Sequence, residues 1–242
     1  MFLIDDIEVR QTAETGRGVF ATKDIPAGTV IAEYTGVLQP TGTCKHGDAV
    51  YEFVYSDTVD ICPDITTVGM HLVNHSCEAN CATGPLGRRT LLFALRRIFA
   101  GEELSYDYFM GVQEKGSKPG FDNCHCGSPY CRGTMYSNPE QYTLLQEWED
   151  EEYKDESNDP PVPFGEMLPK LDSYPKEIED DPLFSIFGCR MQKAVEGELA
   201  LLSDPKKLRA KLRETGRQIA IPEAGVVVEG ILFNESVVVH SV

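Results

Sequence analysis

The chain has 242 residues, 41% of them hydrophobic, enough for one well-buried core and a second small module. A formal net charge of −17 makes phosphate-rich nucleic acid a poor direct partner and a basic protein or peptide a better one. The longest apolar runs, such as Val226 to Val228, stop far short of the ~18 residues a membrane span needs, so no membrane partner is expected.

Residues Met1 to Arg10 carry Asp5, Asp6 and Glu8 and lack the basic start and small-residue cleavage site of a secretory signal, so no export is expected. Eight cysteines then point to metal rather than to disulfides, because a reducing compartment disfavours cross-links. Gly16-Arg17-Gly18-Val19-Phe20-Ala21 is a glycine pair that permits close approach of the backbone to a ligand. It lacks the third glycine of a dinucleotide fingerprint and alone reads as a surface turn. Short β-rich runs, Val30 to Tyr34, Tyr51 to Tyr55 and Leu91 to Leu95, are separated by Gly, Pro, Asn and Asp, which predicts many short strands and few helices.

Asn74-His75-Ser76-Cys77-Glu78-Ala79-Asn80-Cys81 packs amides, an imidazole and thiols into one segment. A cysteine nucleophile with a histidine base is one reading of it, but neighbouring side chains on a strand point to opposite faces and Cys77 has a competing use in metal binding. In Gly101-Glu102-Glu103-Leu104-Ser105-Tyr106-Asp107-Tyr108 the two tyrosines, one residue apart, face the same side of a strand. They line a narrow channel or serve as ordinary half-buried packing.

The metal signal is Cys124-His125-Cys126-Gly127-Ser128-Pro129-Tyr130-Cys131. Three local thiolates leave a tetrahedral zinc site one ligand short. His125 lies between two ligands, where its ring would struggle to turn back onto the same ion, so a remote cysteine is favoured, with Cys77 and Cys81 as the candidates.

From Glu140 to Asp181 the chain holds 15 acidic and three basic residues with several prolines, which reads as a solvated linker. Beyond it, Ser203, Asp204 and Pro205 start a helix with Leu208 and Leu212 on one face and Gly216 as its stop. The basic residues among those leucines read as its wet face, with nuclear import as the alternative. Val226 to Val239, broken at Asn234-Glu235-Ser236, predicts two strands around a turn.

Taken in order, these four motifs together with Glu33-Tyr34-Thr35-Gly36 resemble the SET-domain family of protein lysine methyltransferases with its cysteine-rich post-SET tail, over roughly residues 7 to 137. The resemblance implies a mainly β fold of small sheets in which the strand bearing Asn74 and His75 threads beneath the segment bearing Tyr106 and Tyr108 as a pseudoknot, an exception to un-knotted chains. It divides the chain into a SET domain at 1–120, a zinc loop at 121–137, an acidic linker at 138–182 and a partly helical extension at 183–242. Because every motif precedes the linker, the extension is expected to be accessory.

The same resemblance implies transfer of a methyl group from S-adenosylmethionine to a lysine of a histone or another basic protein, in the nucleus of a eukaryote or otherwise in the cytoplasm. It assigns Gly16, Arg17, Gly18, Asn74 and His75 to the cofactor, and Cys77, Cys124, Cys126 and Cys131 to zinc. Tyr108 is the implied catalytic tyrosine, with Tyr106 and Tyr34 lining the lysine channel; a tyrosine at 106 implies monomethylation. This chain departs from the pattern at Thr67-Val68-Gly69-Met70-His71-Leu72, where Gly-Asn-x-Ala-Arg-Phe is common, and Tyr136 is the aromatic available to close over the cofactor.

Overall fold

A computed structural model of the chain describes residues 1–13, 15–44, 51–113, 121, 123–128, 131–152, 163–178 and 191–193, with strand backbone over 218–220, 226–228, 231–233 and 238–241. The N-terminal strands are β1 (Ile7–Gln11), β2 (Arg17–Ala21), β3 (Val30–Glu33), β4 (Val37–Pro40), β5 (Phe53–Ser56) and β6 (Val59–Cys62). A 3-10 turn at Met70–Leu72 leads into β7 (Asn74–His75), β8 (Cys81–Leu86), β9 (Arg89–Ala94) and β10 (Ser105–Tyr106).

These strands form small sheets because each is short and bounded by turn residues. β1 and β2 make an antiparallel hairpin in which Val9 faces Val19 and Ile7 faces Ala21. Gly16, at a φ of 82°, closes its turn in a conformation side chains rarely adopt. β3, β9 and β8 form one antiparallel sheet in that order, and β4, β6 and β5 a second. Leu91, Leu92, Phe93 and Ala94 are all buried, so β9 is covered on both faces and its sequence is a continuous apolar run rather than an alternation. Val19, Ile31, Ile61, Leu92, Ile98 and Leu104 are the fully enclosed centre of the core, each contributing about 1.5–3 kcal/mol by burial.

β7 and β10 pair in parallel, Asn74 opposite Ser105 and His75 opposite Tyr106. This is the juxtaposition the pseudoknot requires. Asn80, 4% exposed, ties it further: its amide donates to the Glu103 carbonyl and its side-chain oxygen accepts the Ser105 N–H.

Within 138–182, read from the sequence as a solvated linker, the described residues hold a helix and a docked segment. Pro139–Glu152 is a helix, α1. The Asn138 side chain caps it by accepting the Glu140 N–H, Pro139 fills the first helical position and Glu140 complements the N-terminal dipole. Residues 163–178 then run back along the domain as a strap. Gly165 and Leu168 donate to Leu38 and Gly36 on the edge of β4, and Lys176 accepts from Val30 on the edge of β3. Leu168 is buried, and farther on Met191 is wholly buried against Phe93 and Leu95. Acidity and proline hid this strap because backbone pairing at a sheet edge requires no particular side chain.

Two further expectations change. Cys44 and Cys62 form a disulfide with their Cα atoms 5.7 Å apart, against the reading that gave the cysteines to metal alone; the turn after β4 brings Cys44 back beside the end of β6. Near the C-terminus, where two strands were expected, the described backbone forms a four-stranded antiparallel sheet of β11 (Gln218–Ala220), β12 (Val226–Val228), β13 (Ile231–Phe233) and β14 (Val238–Ser241). The helix expected from Ser203 lies outside the described residues. Among the described residues no helix is long and apolar enough to cross a membrane.

Candidate active site and cysteine cluster

The β7–β10 pair gathers the residues that the sequence singled out. The Asn74 amide nitrogen lies 3.0 Å from the Arg17 carbonyl, 2.8 Å from Thr15 Oγ1 and 2.7 Å from Glu103 Oε1. It therefore fastens the glycine turn to the strand bearing the tyrosines. Gly18 is confined by this packing, since a Cβ there would lie 2.3 Å from Glu103 Oε1. At Gly16 a Cβ would meet nothing within 4 Å, so the turn presents open backbone. Arg17 donates to the Ile65 carbonyl. The structure thus brings Gly16, Arg17 and Gly18 together with Asn74, while His75, the next residue on β7, turns toward Cys77 and Tyr108.

His75 is 8% exposed, and burial lowers its pKa to about 4, which keeps it neutral at physiological pH. The Tyr108 N–H donates to Nδ1 at 3.2 Å, which assigns the ring proton to Nε2. Nε2 lies 3.4 Å from Cys77 Sγ and donates to it. The 3.6 Å approach of Asp107 Oδ1 to Nδ1 is then not an ion pair, because a neutral ring with a bare Nδ1 offers no charge there. A histidine so engaged is a holder rather than a base.

Tyr106 and Tyr108 stand with ring centroids 4.8 Å apart, and Tyr34 packs 4.6 Å from Phe53. The Tyr108 hydroxyl donates to the Val73 carbonyl at 2.9 Å, and the Tyr34 hydroxyl to the Tyr51 carbonyl at 2.8 Å. Burial raises the pKa of all three phenols far above the ordinary value, and the neighbouring ionisable groups push the same way, so each is a neutral hydroxyl and none is a general base. At Tyr108 the arrangement sets a phenol oxygen and the Val73 carbonyl oxygen side by side, two negative ends suited to a cationic or ammonium group.

Cys77, Cys124, Cys126 and Cys131 bring four sulfurs within 4.8 Å of one another. Cys77 Sγ lies 3.7 Å from Cys124 Sγ and 4.0 Å from Cys131 Sγ. A tetrahedral ion with bonds of about 2.3 Å needs sulfur pairs about 3.8 Å apart, so the donor set fits a structural zinc site. Burial pushes Cys77 up to about 11 and Cys124 further, so a cation is what would hold these thiols as thiolates. Cys81 is elsewhere: it is 1% exposed in the core, pushed up to about 12 by burial, and its sulfur donates to Asn80 Oδ1. His125 is not among the grouped donors.

Residues 16–109 match the family model described as the SET domain. Over those residues the chain carries a SET domain. Its relatives include the histone-lysine N-methyltransferase trithorax of Drosophila virilis, 36% identical over 48% of this chain and 3% of that protein. Human histone-lysine N-methyltransferase 2B is 34% identical over 52% of this chain and 5% of that protein. The Arabidopsis thaliana histone H3-lysine(4) N-trimethyltransferase ATX1 is 33% identical over 50% of this chain and 12% of that protein. The matches thus span a small fraction of each relative's own length. A crystal structure of KRYPTONITE with mCHH DNA, an H3(1-15) peptide and SAH superposes with a TM-score of 0.44 at 30% identity, covering 54% of this chain and 29% of that one.

Around the SET domain's site the sequence reading missed four groups. Glu103, Asp107 and Arg132 are charged residues whose partners lie in other segments, and the Val73 carbonyl is backbone that no residue type announces. The departure at His71 is buried: His71 is 8% exposed, and its Nε2 has no hydrogen-bond partner. Tyr136 is also buried and meets Phe121 edge-on.

Proposed function

We propose that this chain is a protein-lysine N-methyltransferase that takes its methyl group from S-adenosylmethionine and acts on a histone tail or another basic protein in the nucleus. The observation that carries the reading is the half-buried Tyr108 hydroxyl, held at the Val73 carbonyl beside the Tyr106 ring and the Asn74-His75 strand. The names of the relatives and the net charge of −17 support a basic histone substrate.

S-adenosylmethionine supplies a methyl group made electrophilic by its sulfonium. Gly16, Arg17, Gly18, Asn74 and His75 would hold the donor, and the channel of Tyr34, Tyr106 and Tyr108 would admit the lysine. A free lysine has a pKa of about 10.4, so an apolar, tyrosine-lined channel assists by disfavouring the ammonium form. The Tyr108 oxygen then orients the neutral amine, and much of the rate comes from alignment. Tyr106 limits the product, because its hydroxyl can retain a water that a second methyl would have to displace. Zinc on Cys77, Cys124, Cys126 and Cys131 would fold the loop that closes this end of the site.

The test is incubation of the purified chain and labelled S-adenosylmethionine with core histones and a panel of other basic proteins, followed by mass spectrometry. Label on lysine supports the reading. Tight cofactor binding with no transfer to any protein would make the domain a binding module instead.

A further inference from the structure

The chain turns sharply directly after Tyr108. Phe109, with a φ of 44°, is the only non-glycine residue with a positive φ among the described residues. A bulky side chain adopts that conformation only where its surroundings impose it. Two bonds impose it here. Asp107 Oδ1 accepts the Phe109 N–H at 3.2 Å, and the Tyr108 N–H is held by His75.

The Asp107 carboxylate is itself gripped by both terminal nitrogens of Arg132, at 2.5 and 2.9 Å, with its side chain only 10% exposed. A fork of this kind fixes direction as well as distance. Arg132 directly follows Cys131, and its own N–H donates to Cys77 Sγ at 3.4 Å. One residue therefore joins the cysteine cluster by its backbone and the Tyr108 turn by its side chain.

We infer that Asp107 and Arg132 are positioning residues that transmit the folding of the cysteine loop to Tyr108. The inference rests on the methyltransferase reading for its effect on rate. Without the fork the carboxylate is an unpaired charge that turns toward water, the Phe109 N–H loses its acceptor and the left-handed turn relaxes. The Tyr108 hydroxyl then loses its fixed place at the Val73 carbonyl, while the glycine turn and Asn74 remain.

The experiment compares Arg132→Ala, Arg132→Lys and Asp107→Asn in the wild-type and Tyr108→Phe backgrounds. Its readouts are zinc content, S-adenosylhomocysteine affinity by calorimetry, kcat on core histones and the ¹⁹F resonance of fluorotyrosine at 108, assigned by its loss in Tyr108→Phe. Arg132→Ala and Asp107→Asn should keep zinc and hold affinity within about threefold, yet lower kcat by about tenfold or more, the scale of a small misplacement of a catalytic group. In the Tyr108→Phe background the same changes should leave the residual rate unaltered, because their effect passes through that hydroxyl. Arg132→Lys, with charge but no fork, should recover part of the loss. The ¹⁹F line should move in both neutralising variants and stay in place in Arg10→Ala, which loses the exposed pair with Glu8 and the stacking on Phe20, neither of which touches Tyr108.

Equal loss of rate in both backgrounds, or a ¹⁹F line that does not move, overturns the inference. A wild-type protein that methylates nothing while the ¹⁹F line still responds overturns the methyltransferase reading and leaves the coupling standing.

Discussion

The cysteine loop and the strap both return to the body of the SET domain from beyond its matched residues, and different forces hold them. The loop at 121–137 is gathered by four sulfurs and one forked ion pair, with Phe121 and Tyr136 as its modest apolar contact. The strap at 163–178 lies as an added strand on the exposed edges of β4 and β3, where it satisfies backbone groups that would otherwise template aggregation. It also completes a buried network: Glu33, fully enclosed, receives Arg89 at 2.6 Å on one oxygen and the Tyr174 hydroxyl on the other. A loop too short for a core thus depends on a metal, whereas a longer segment docks through main-chain bonds and a paired charge.

The comparison breaks first at the metal. Cys124→Ser should remove zinc, unfold the loop and abolish cofactor binding and turnover, since structural zinc contributes about 10–16 kcal/mol to comparable small sites. Metal analysis with S-adenosylhomocysteine calorimetry checks this; the strap should remain protected in hydrogen exchange.

Truncation after Asn138 should come next. It removes Leu168, Met191 and Tyr174 and strands the Glu33–Arg89 pair, a loss of about 5 kcal/mol or more against a typical total of 5–15. Thermal denaturation should show a marginal or aggregating fragment, while a soluble, stable one would make the strap accessory as its composition suggests.

Tyr174→Phe isolates one bond of that network. Because Tyr174 is partly exposed, the loss should sit near the low end for a bond to a charged group, about 1.5 kcal/mol, measurable by urea denaturation. It should vanish when Glu33 is already Gln.

The smallest effect is one of pH. Burial lowers the pKa of His71 from 6.5 to about 4, with the Arg17 charge pushing the same way, so the folded state holds the ring neutral where the unfolded chain would protonate it. This contribution is complete above pH 6.5 and is lost as pH falls toward 4. His71→Gln should flatten the melting temperature across that window and leave it unchanged above.

What was legible in the sequence divides along the same line. Cysteine spacing, the Asn74-His75 pair and alternate tyrosines announce themselves, because their chemistry demands particular residue types at particular separations. Glu33 stood inside a recognised motif, yet Tyr34 drew the attention; only the structure reveals the enclosed carboxylate. The start of α1 was written in Asn138-Pro139-Glu140 and was masked by reading charge over the whole stretch. The strap has no such writing, since main-chain bonds to β4 and β3 are indifferent to side chains. The Asp107–Arg132 fork was also hidden, because its members lie 25 residues apart in a chain with many other possible pairings.

The most direct measurement compares wild type and Tyr108→Phe for methyl transfer to core histones, read by mass spectrometry beside S-adenosylhomocysteine affinity. The account predicts monomethyl-lysine from the wild type, at least about a hundredfold less from the variant, and closely similar affinities. Methylation that survives the loss of the Tyr108 hydroxyl, or a wild type that binds the cofactor and labels no lysine, would contradict it.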